Sequence, residues 1–301
     1  MLGTRGAGGQ SKAANGSLNL SHNRKTISEH TDRGGEGGLG RTGRNLPPKA
    51  LVIVIAVSLL IVSFGAALLL LSRSSGDDAT TGPKRAVIVD QLSLTQPNMR
   101  FVASTIGLLV DAGYEVDYYP GEEVTVDFYR HLPAFGYDLI LLRVHAATIN
   151  IVNEARGEET GTEFVGLFTG EPYADGKYPE QQIGGLARGR HYGGGPPVFG
   201  ITTSFVSDSM LGDFDGAQVI MMGCDGLRSR FTAEAFIDKG ASSFVSWSKP
   251  VSAAHTDSAT QRLVDLLVID GLEVEDAVAQ TAAEIGPDPD YGAELRILSG
   301  R

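Results

Sequence analysis

The segment 218–227, QVIMMGCDGL, is the most informative part of this chain. Its apolar run, Val219 to Met222, ends at a glycine, and a second glycine follows three residues later. This pattern is typical of a short buried strand that enters a tight turn. The only cysteine of the chain, Cys224, then lies at the carboxyl end of the strand, which is the edge where open α/β sheets have their ligand crevice. The segment therefore predicts an α/β fold with Cys224 at its functional edge.

Cys224 has two interpretations. A helix is predicted from about residue 228, and the partial positive charge of a helix N-terminus stabilises a thiolate, which would lower the pKa of the cysteine. A buried structural cysteine is the alternative, because free cysteine is among the most buried residue types. Since there is only one cysteine, an intrachain disulfide is excluded.

A second apolar run ends in a histidine. Residues 137–145 have the sequence YDLILLRVH, so His145 follows a predicted strand in the same way that Cys224 does. If the two strands are parallel neighbours, they lie about 4.8 Å apart and both open on one edge of the sheet. A thiol and an imidazole that converge there can act as a nucleophile and its general base. We therefore expect Cys224 and His145 to be a catalytic pair.

The remainder of the α/β region alternates between strand and helix patterns. Strands are predicted over 85–90, 114–119, 138–144, 242–247 and 295–298. Helices are predicted over 97–112, 124–132, 231–239, 256–269 and 274–285. This alternation indicates a mostly parallel sheet with right-handed crossovers. Residues 146–217 depart from it: 162–169 and 198–202 are predicted as strands of a hairpin or lid, and the glycine-rich segment 184–195 as a mobile surface loop.

Composition divides the 301 residues into four parts. Residues 1–49 carry a net charge of +5, from eight Lys and Arg against three Asp and Glu, and are predicted to be a disordered basic tail. Residues 50–71 contain no charged side chain and are long enough for one transmembrane helix. A linker is predicted over 72–84. The α/β domain is predicted over 85–301, which is long enough to bury one sizeable core.

The apolar segment 50–71 is interpreted as an uncleaved anchor that contacts membrane lipid through one helix. A cleavable signal peptide is the alternative, but the preceding segment is too long and the apolar run exceeds a usual signal core. The basic tail predicts a single-pass protein of the cell membrane with a cytoplasmic N-terminus and an extracytoplasmic α/β domain. Residues 72–301 carry a net charge of −16, from 17 Lys and Arg against 33 Asp and Glu, which argues against nucleic acid as a partner.

A strand ending at His145, an insertion, a strand ending at Cys224, a helix and a strand ending at Trp247 follow one another in this chain. This order resembles the caspase-like cysteine peptidases, the group that includes caspases, metacaspases, gingipains, clostripain and the CHAT-domain proteins. Residues 222–226, MGCDG, and 233–247, AEAFIDKGASSFVSW, are most similar to the CHAT and clostripain types. The resemblance extends over residues 85–300.

The resemblance implies a fold, an activity and a set of site residues. The fold would be a three-layer α/β sandwich around a mostly parallel sheet, and the activity that of a cysteine endopeptidase that needs no cofactor and acts on a peptide or protein substrate. Cys224 would be the nucleophile and His145 the base, and the backbone N–H groups of Cys224 and Ala146 would form the oxyanion hole. The substrate pocket would consist of Met222, Asp225, Ser246 and Trp247.

Two positions depart from the family pattern and keep other functions open. Ala146 stands where the family usually has glycine, and Met222 stands where members that cut after Arg or Lys have aspartate. A catalytically silent domain of the same fold, which binds peptides or assembles partners, is therefore an alternative.

In a glutamine amidotransferase His255 would follow the cysteine, but Met222 occupies the first glycine position of the elbow that this class requires. His131 and His191 lack metal-ligand spacing, so no metal site is predicted.

Overall fold

The computed structural model describes residues 17–19, 82–153, 158–191 and 194–300. Apart from Gly82, these residues belong to one compact unit of the chain. The predicted membrane-spanning segment 50–71 lies outside the described residues, as do nearly all of the predicted tail and most of the predicted linker. Among the helices that are described, none is long and apolar enough to cross a membrane.

Strands and helices alternate along most of the described chain. The strands are β1 (Ser17–Asn19), β2 (Arg85–Asp90), β3 (Glu115–Pro120), β4 (Leu139–Arg143), β5 (Ala146–Asn153), β6 (Glu158–Pro172), β7 (Leu186–Arg190), β8 (Val198–Ile201), β9 (Gln218–Met221), β10 (Ser243–Trp247) and β11 (Leu295–Ser299). The α-helices are α1 (Met99–Asp111), α2 (Val126–His131), α3 (Thr203–Ser209), α4 (Phe231–Asp238), α5 (Ala253–Val268) and α6 (Val274–Ile285). Short 3₁₀ helices cover Gln91–Leu94, Gly121–Glu123 and Leu132–Phe135.

Six strands form the central sheet, in the order β11-β10-β9-β4-β2-β3. Its neighbouring pairs are parallel except β10 with β11, which is antiparallel. The prediction of an α/β fold with a mostly parallel sheet is therefore confirmed. The helices and strands predicted for this part of the chain match the observed bounds to within three residues, and α6 has the predicted bounds.

Both faces of the central sheet are buried. On one face Ile88, Leu141 and Val245 pack with residues of α1, α5 and α6. On the other face Val89 and Leu142 pack with α2, α3 and α4 and with one side of a second sheet. Because a parallel sheet is covered on both sides, its strands have continuous apolar sequences. This explains why the short apolar runs were recognisable as strands before their partners were known.

The second sheet has the order β1-β7-β8-β6-β5, with antiparallel neighbours. The predicted hairpin or lid corresponds to β6 and β8, which pair with Leu167 opposite Ile201. The prediction of a mobile loop over 184–195 is wrong for Leu186–Arg190, because these residues form β7, which pairs with β8 and buries Leu186 and Ala187. The glycines there indicated flexibility, but hydrogen bonds to β8, the next strand along the chain, order the segment.

Candidate active site

The strands that lead to His145 and Cys224 lie side by side. β4 and β9 are parallel neighbours with Leu142 opposite Met221. The pairing extends one step further, since the Met222 N–H donates to the Leu142 carbonyl oxygen at 2.9 Å. The chain therefore leaves both strands at the same edge of the sheet, and the condition for a Cys224–His145 pair, that these two strands are parallel neighbours, is met.

The turn after β9 needs glycine at two positions. A Cβ atom on Gly223 would overlap the carbonyl oxygen of Val144 and lie 3.2 Å from the Ala146 Cβ. A Cβ atom on Gly226 would overlap the Ser246 hydroxyl. Asp225, between them, has a φ of 61°, which few residues other than glycine adopt. Gly223 thus allows the Cys224 segment to approach the segment around His145 within van der Waals distance, and Gly226 allows the same turn to approach Ser246 of β10.

His145 and Cys224 line one cleft at this edge of the sheet, together with Met222. The other lining residues are Val144, Gly223, Leu92 and Gln96 of the loop after β2, Val251, Ser252, Ala253 and Thr256 at the start of α5, and Asp290 and Tyr291 of the loop after α6. The cleft encloses about 90 Å³. Typical small-molecule pockets begin at about 300 Å³, so the cleft holds less than a peptide side chain with its flanking backbone.

The Cys224 thiol is buried, with 8% of the residue exposed, and contacts the carbonyl oxygen of Val251 at 3.7 Å. Burial raises the pKa of Cys224 to about 11, and the negative charges of Asp225 and Asp288 act in the same direction. The expected lowering of this pKa by a helix N-terminus is therefore wrong for this conformation. Helix α4 begins only at Phe231, and the field of a helix end falls off within its first turn.

The His145 side chain and main chain are both held by residues of the segment after β2. The imidazole Nε2 atom lies 2.8 Å from the Thr95 hydroxyl oxygen, and the backbone N–H donates to the Gln91 side-chain oxygen at 2.9 Å. The ring centroid is 4.8 Å from that of His191. Burial, together with the charges of His191 and Arg143, lowers the pKa of His145 to about 4. The imidazole is therefore neutral at pH 7.

In this conformation the thiol and the imidazole are both uncharged. Moving a proton from a thiol with a pKa of about 11 to an imidazole with a pKa of about 4 spans seven units. At 1.36 kcal/mol per unit this costs about 10 kcal/mol, before the attraction between the resulting ions is counted. The observed arrangement thus keeps both groups neutral, and an ion pair requires a wider, more polar cleft.

The predicted substrate-pocket residues divide into two groups. Met222 lines the cleft, whereas Asp225, Ser246 and Trp247 do not. Ser246 is buried behind the Cys224 turn and donates to the Met221 carbonyl oxygen at 2.7 Å. The Trp247 indole N–H donates to the Thr256 hydroxyl at 2.9 Å. These side chains support the cleft from behind in the observed conformation.

Ala146 and Asp225 flank the two proposed catalytic residues. Ala146 is buried as the first residue of β5, in the position where its Cβ faces Gly223. The Asp225 N–H donates to the Lys249 carbonyl oxygen at 3.1 Å, and its carboxylate lies 3.6 Å from the Arg228 guanidinium. The turn that carries Cys224 is therefore tied to the segment after β10.

Sequence reasoning missed a group of residues beside the cleft. Arg143 is buried at the end of β4 and forms ion pairs with Asp90 and Asp257. Gln91 and Thr95, which hold His145, were also not recognised. The available signal was Arg143 itself, because a charged residue within a buried strand needs a charged partner. The partners could not be chosen from the sequence.

Comparison with known proteins identifies no relative of this chain. A scan against protein-family models finds no match to the chain. A search of curated proteins finds no match either.

Proposed function

We propose that this chain is a cysteine endopeptidase of caspase-like, three-layer fold, with Cys224 as the nucleophile and His145 as the base. One observation carries the proposal: the two side chains line a single cleft at the carboxyl ends of neighbouring parallel strands. In such a cleft a thiol and an imidazole can cooperate in acyl transfer. Gly223, which permits the close approach of the two segments, supports the same conclusion.

In the proposed reaction the Cys224 thiol passes its proton to His145, and the thiolate attacks the carbonyl carbon of a peptide bond. The backbone N–H groups of Cys224 and Ala146 stabilise the resulting oxyanion. His145 then gives the proton to the leaving amine as the C–N bond breaks, which leaves an acyl-enzyme. Water, deprotonated by His145, attacks the thioester and releases the acid and the thiol. The proposed reaction requires no cofactor, only a peptide or protein substrate and water.

Activity requires a change from the resting arrangement. Substrate binding has to widen the cleft, because its present volume is about 90 Å³. Widening brings water to both groups, which lowers the thiol pKa and raises the imidazole pKa toward their ordinary values. Catalytic hydrogen bonds are often formed only in the substrate complex, so the resting contacts of the two groups with Val251 and Thr95 are compatible with the proposal.

A catalytically silent domain of the same fold is the second candidate. It is favoured by the contact between the Cys224 thiol and the Val251 carbonyl oxygen, in a cleft that leaves the thiol protonated. Such a domain would bind peptides or assemble partners. The two candidates differ in whether Cys224 reacts with an electrophilic peptide while the protein is folded.

We also propose that the chain is anchored in the cell membrane by residues 50–71, with the N-terminus in the cytoplasm and the α/β domain outside. The support is the uncharged composition of that segment and the basic tail before it. The acidic domain makes nucleic acid an unfavourable partner. Peptides or proteins on the outer side of the membrane are then the proposed substrates.

The deciding experiment uses a peptidyl acyloxymethyl ketone, which reacts covalently with an activated cysteine. We expect it to label the folded protein at neutral pH, and Cys224→Ala to abolish labelling because no other thiol exists. His145→Ala should slow labelling at least about 100-fold, in keeping with the loss of a general base.

His131→Ala is the matched control, since this histidine contacts Asp127 on its own helix and does not line the cleft. Its labelling rate should equal that of the wild type. Labelling of wild-type protein only after denaturation would reject the peptidase and leave the silent domain.

A further inference from the structure

A buried cluster of three charged residues lies next to the cleft. We call Asp90, Arg143 and Asp257 the anchor cluster. The Arg143 guanidinium is 2.7 Å from the Asp90 carboxylate and 2.8 Å from that of Asp257, and these side chains are at most 6% exposed. The three residues belong to the end of β2, the end of β4 and helix α5. Buried charges remain only where they are paired, so the cluster joins these three elements firmly.

The loop of residues 91–96 is attached to the anchor cluster at both ends. It begins immediately after Asp90. At its other end the Arg143 Nη2 group donates to the Gln96 carbonyl oxygen at 2.9 Å. The Asn98 side-chain amide donates to the Asp257 carboxylate at 2.8 Å and continues this connection. The position of the loop therefore depends on the cluster.

Loop 91–96 in turn contacts His145 twice. Gln91, which is fully buried, accepts a hydrogen bond from the His145 backbone N–H at 2.9 Å. Thr95 contacts the imidazole Nε2 atom at 2.8 Å. One contact fixes the main chain and the other fixes the orientation of the ring. His145 is thus linked to Arg143, two residues before it, by a second route that runs through the loop.

We propose that the anchor cluster positions the His145 imidazole in the cleft by holding loop 91–96, whose Gln91 and Thr95 contact the histidine directly. The residues of the cluster and Thr95 are positioning residues, not catalytic ones. The consequence for catalysis rests on the proposed function. The positioning itself is a property of the folded protein and can be measured without turnover.

The test observes the His145 ring by NMR in the purified full chain, with histidines labelled at Cε1 and assigned with His145→Gln. Asp257→Asn is informative because its electrostatic effect and its positioning effect on the pKa of His145 have opposite signs. Loss of a negative charge near the imidazole lowers the pKa of His145 if the cluster acts only through its field. Release of the ring into water raises that pKa from about 4 toward the ordinary 6.5. We expect the rise.

Other charged or titratable groups that face the imidazole are Arg143 of β4, His191 after β7 and Cys224 after β9. All three residues are also present in Asp257→Asn, so they do not determine whether the pKa of His145 rises or falls between the wild type and the variant. A fall in the pKa of His145, or no change, overturns the proposal. Glu171→Gln is the control: this buried carboxylate accepts from the Val126 N–H and from Tyr178, and its loss should leave the His145 signal unchanged.

Thr95→Val keeps the proposal testable if Asp257→Asn does not fold. Thr95 is exposed, and valine has nearly the same shape without the hydroxyl. We expect a changed His145 chemical shift, with Thr95→Ser restoring the wild-type signal. Identical signals in Thr95→Val and the wild type overturn the proposal.

Probe labelling separates this inference from the proposed function. If Cys224 is the nucleophile, Thr95→Val should label at least about tenfold more slowly, since small misplacements of catalytic groups have large effects on rate. If wild-type protein does not label, the peptidase is rejected, while the NMR result still decides whether the cluster positions His145.

Discussion

Burial acts in opposite directions on the pKa values of Cys224 and His145. It raises that of the thiol to about 11 and lowers that of the imidazole to about 4. Both shifts favour the neutral form, because a charged group loses solvation when it is buried. The carboxylates of Asp225 and Asp288 add to the effect on the thiol. At the scale of single residues, the surroundings determine whether the pair is reactive.

The thiol should make stability fall at alkaline pH. The pKa of Cys224 is raised in the folded protein. The protonated thiol therefore contributes fully to the free energy of unfolding below pH 9, and this contribution is lost as the pH rises toward 11. Two pKa units correspond to about 3 kcal/mol. Urea unfolding at pH 8 and pH 11 should therefore show that the free energy of unfolding falls more between these two pH values in the wild type than in Cys224→Ala. Tyrosines titrate in both proteins and cancel in the difference; equal losses would contradict the assigned burial of the thiol.

At the scale of elements, the turn between β9 and α4 depends on close contact with the segment after β4. The Gly223 backbone faces the Val144 carbonyl group, which belongs to the main chain and cannot rotate away as a side chain could. The Gly226 position is similarly filled by Ser246. The geometry of the cleft therefore requires that these two positions carry no side chain.

Gly223→Ala should destabilise the protein by about 3 kcal/mol, the upper end of the usual effect of overpacking. Gly107→Ala is the matched control, because Gly107 is an exposed residue in α1 with open space around it. Alanine there should stabilise the protein by up to about 1 kcal/mol through its higher helix propensity. Free energies of unfolding in urea measure both. A Gly223→Ala protein as stable as the wild type would show that the turn can move.

At the scale of the whole molecule, one strand pair bears on membrane topology. β1 and β7 pair antiparallel, with Leu18 opposite Gly189. A chain that crosses the membrane once over residues 50–71 has its tail and its α/β domain on opposite sides. The strand pair and the proposed single-pass topology cannot occur together in one molecule, so we expect the pair only in chains that are not inserted into a membrane.

We expect no disulfide between positions 18 and 189 in the membrane-inserted protein. The variant combines Leu18→Cys and Gly189→Cys with Cys224→Ala, so that no native thiol competes. Inserted protein is the fraction that resists carbonate washing, because insertion is hydrophobic and not ionic. Electrophoresis without reductant measures the cross-link. The same variant lacking residues 50–71 is the control, where the disulfide should form; a disulfide in the washed membranes would contradict the proposed topology.

The order of strands and helices around the central sheet was predictable from local sequence. Apolar periodicity and flanking glycines depend on near neighbours in the chain, and they located α6 and the strands that end near Cys224 and His145. They also predicted the edge at which both residues emerge, since parallel strands have their carboxyl ends at one edge. The uncharged segment 50–71 was likewise visible from composition alone.

Contacts between distant residues required the folded structure. Arg143 and Asp257 are 114 residues apart, and no local pattern pairs them. The β7 strand pairs with β1, about 170 residues before it, as well as with the neighbouring β8, although its glycines indicate a loop. The neutral state of Cys224 follows from its burial, and helix α4 begins too far along the chain to give the helix-end effect expected from the sequence. Periodicity is a local property, whereas desolvation, ion pairing and strand pairing depend on which distant segments meet, so the sequence alone determined the elements and the fold determined their chemistry.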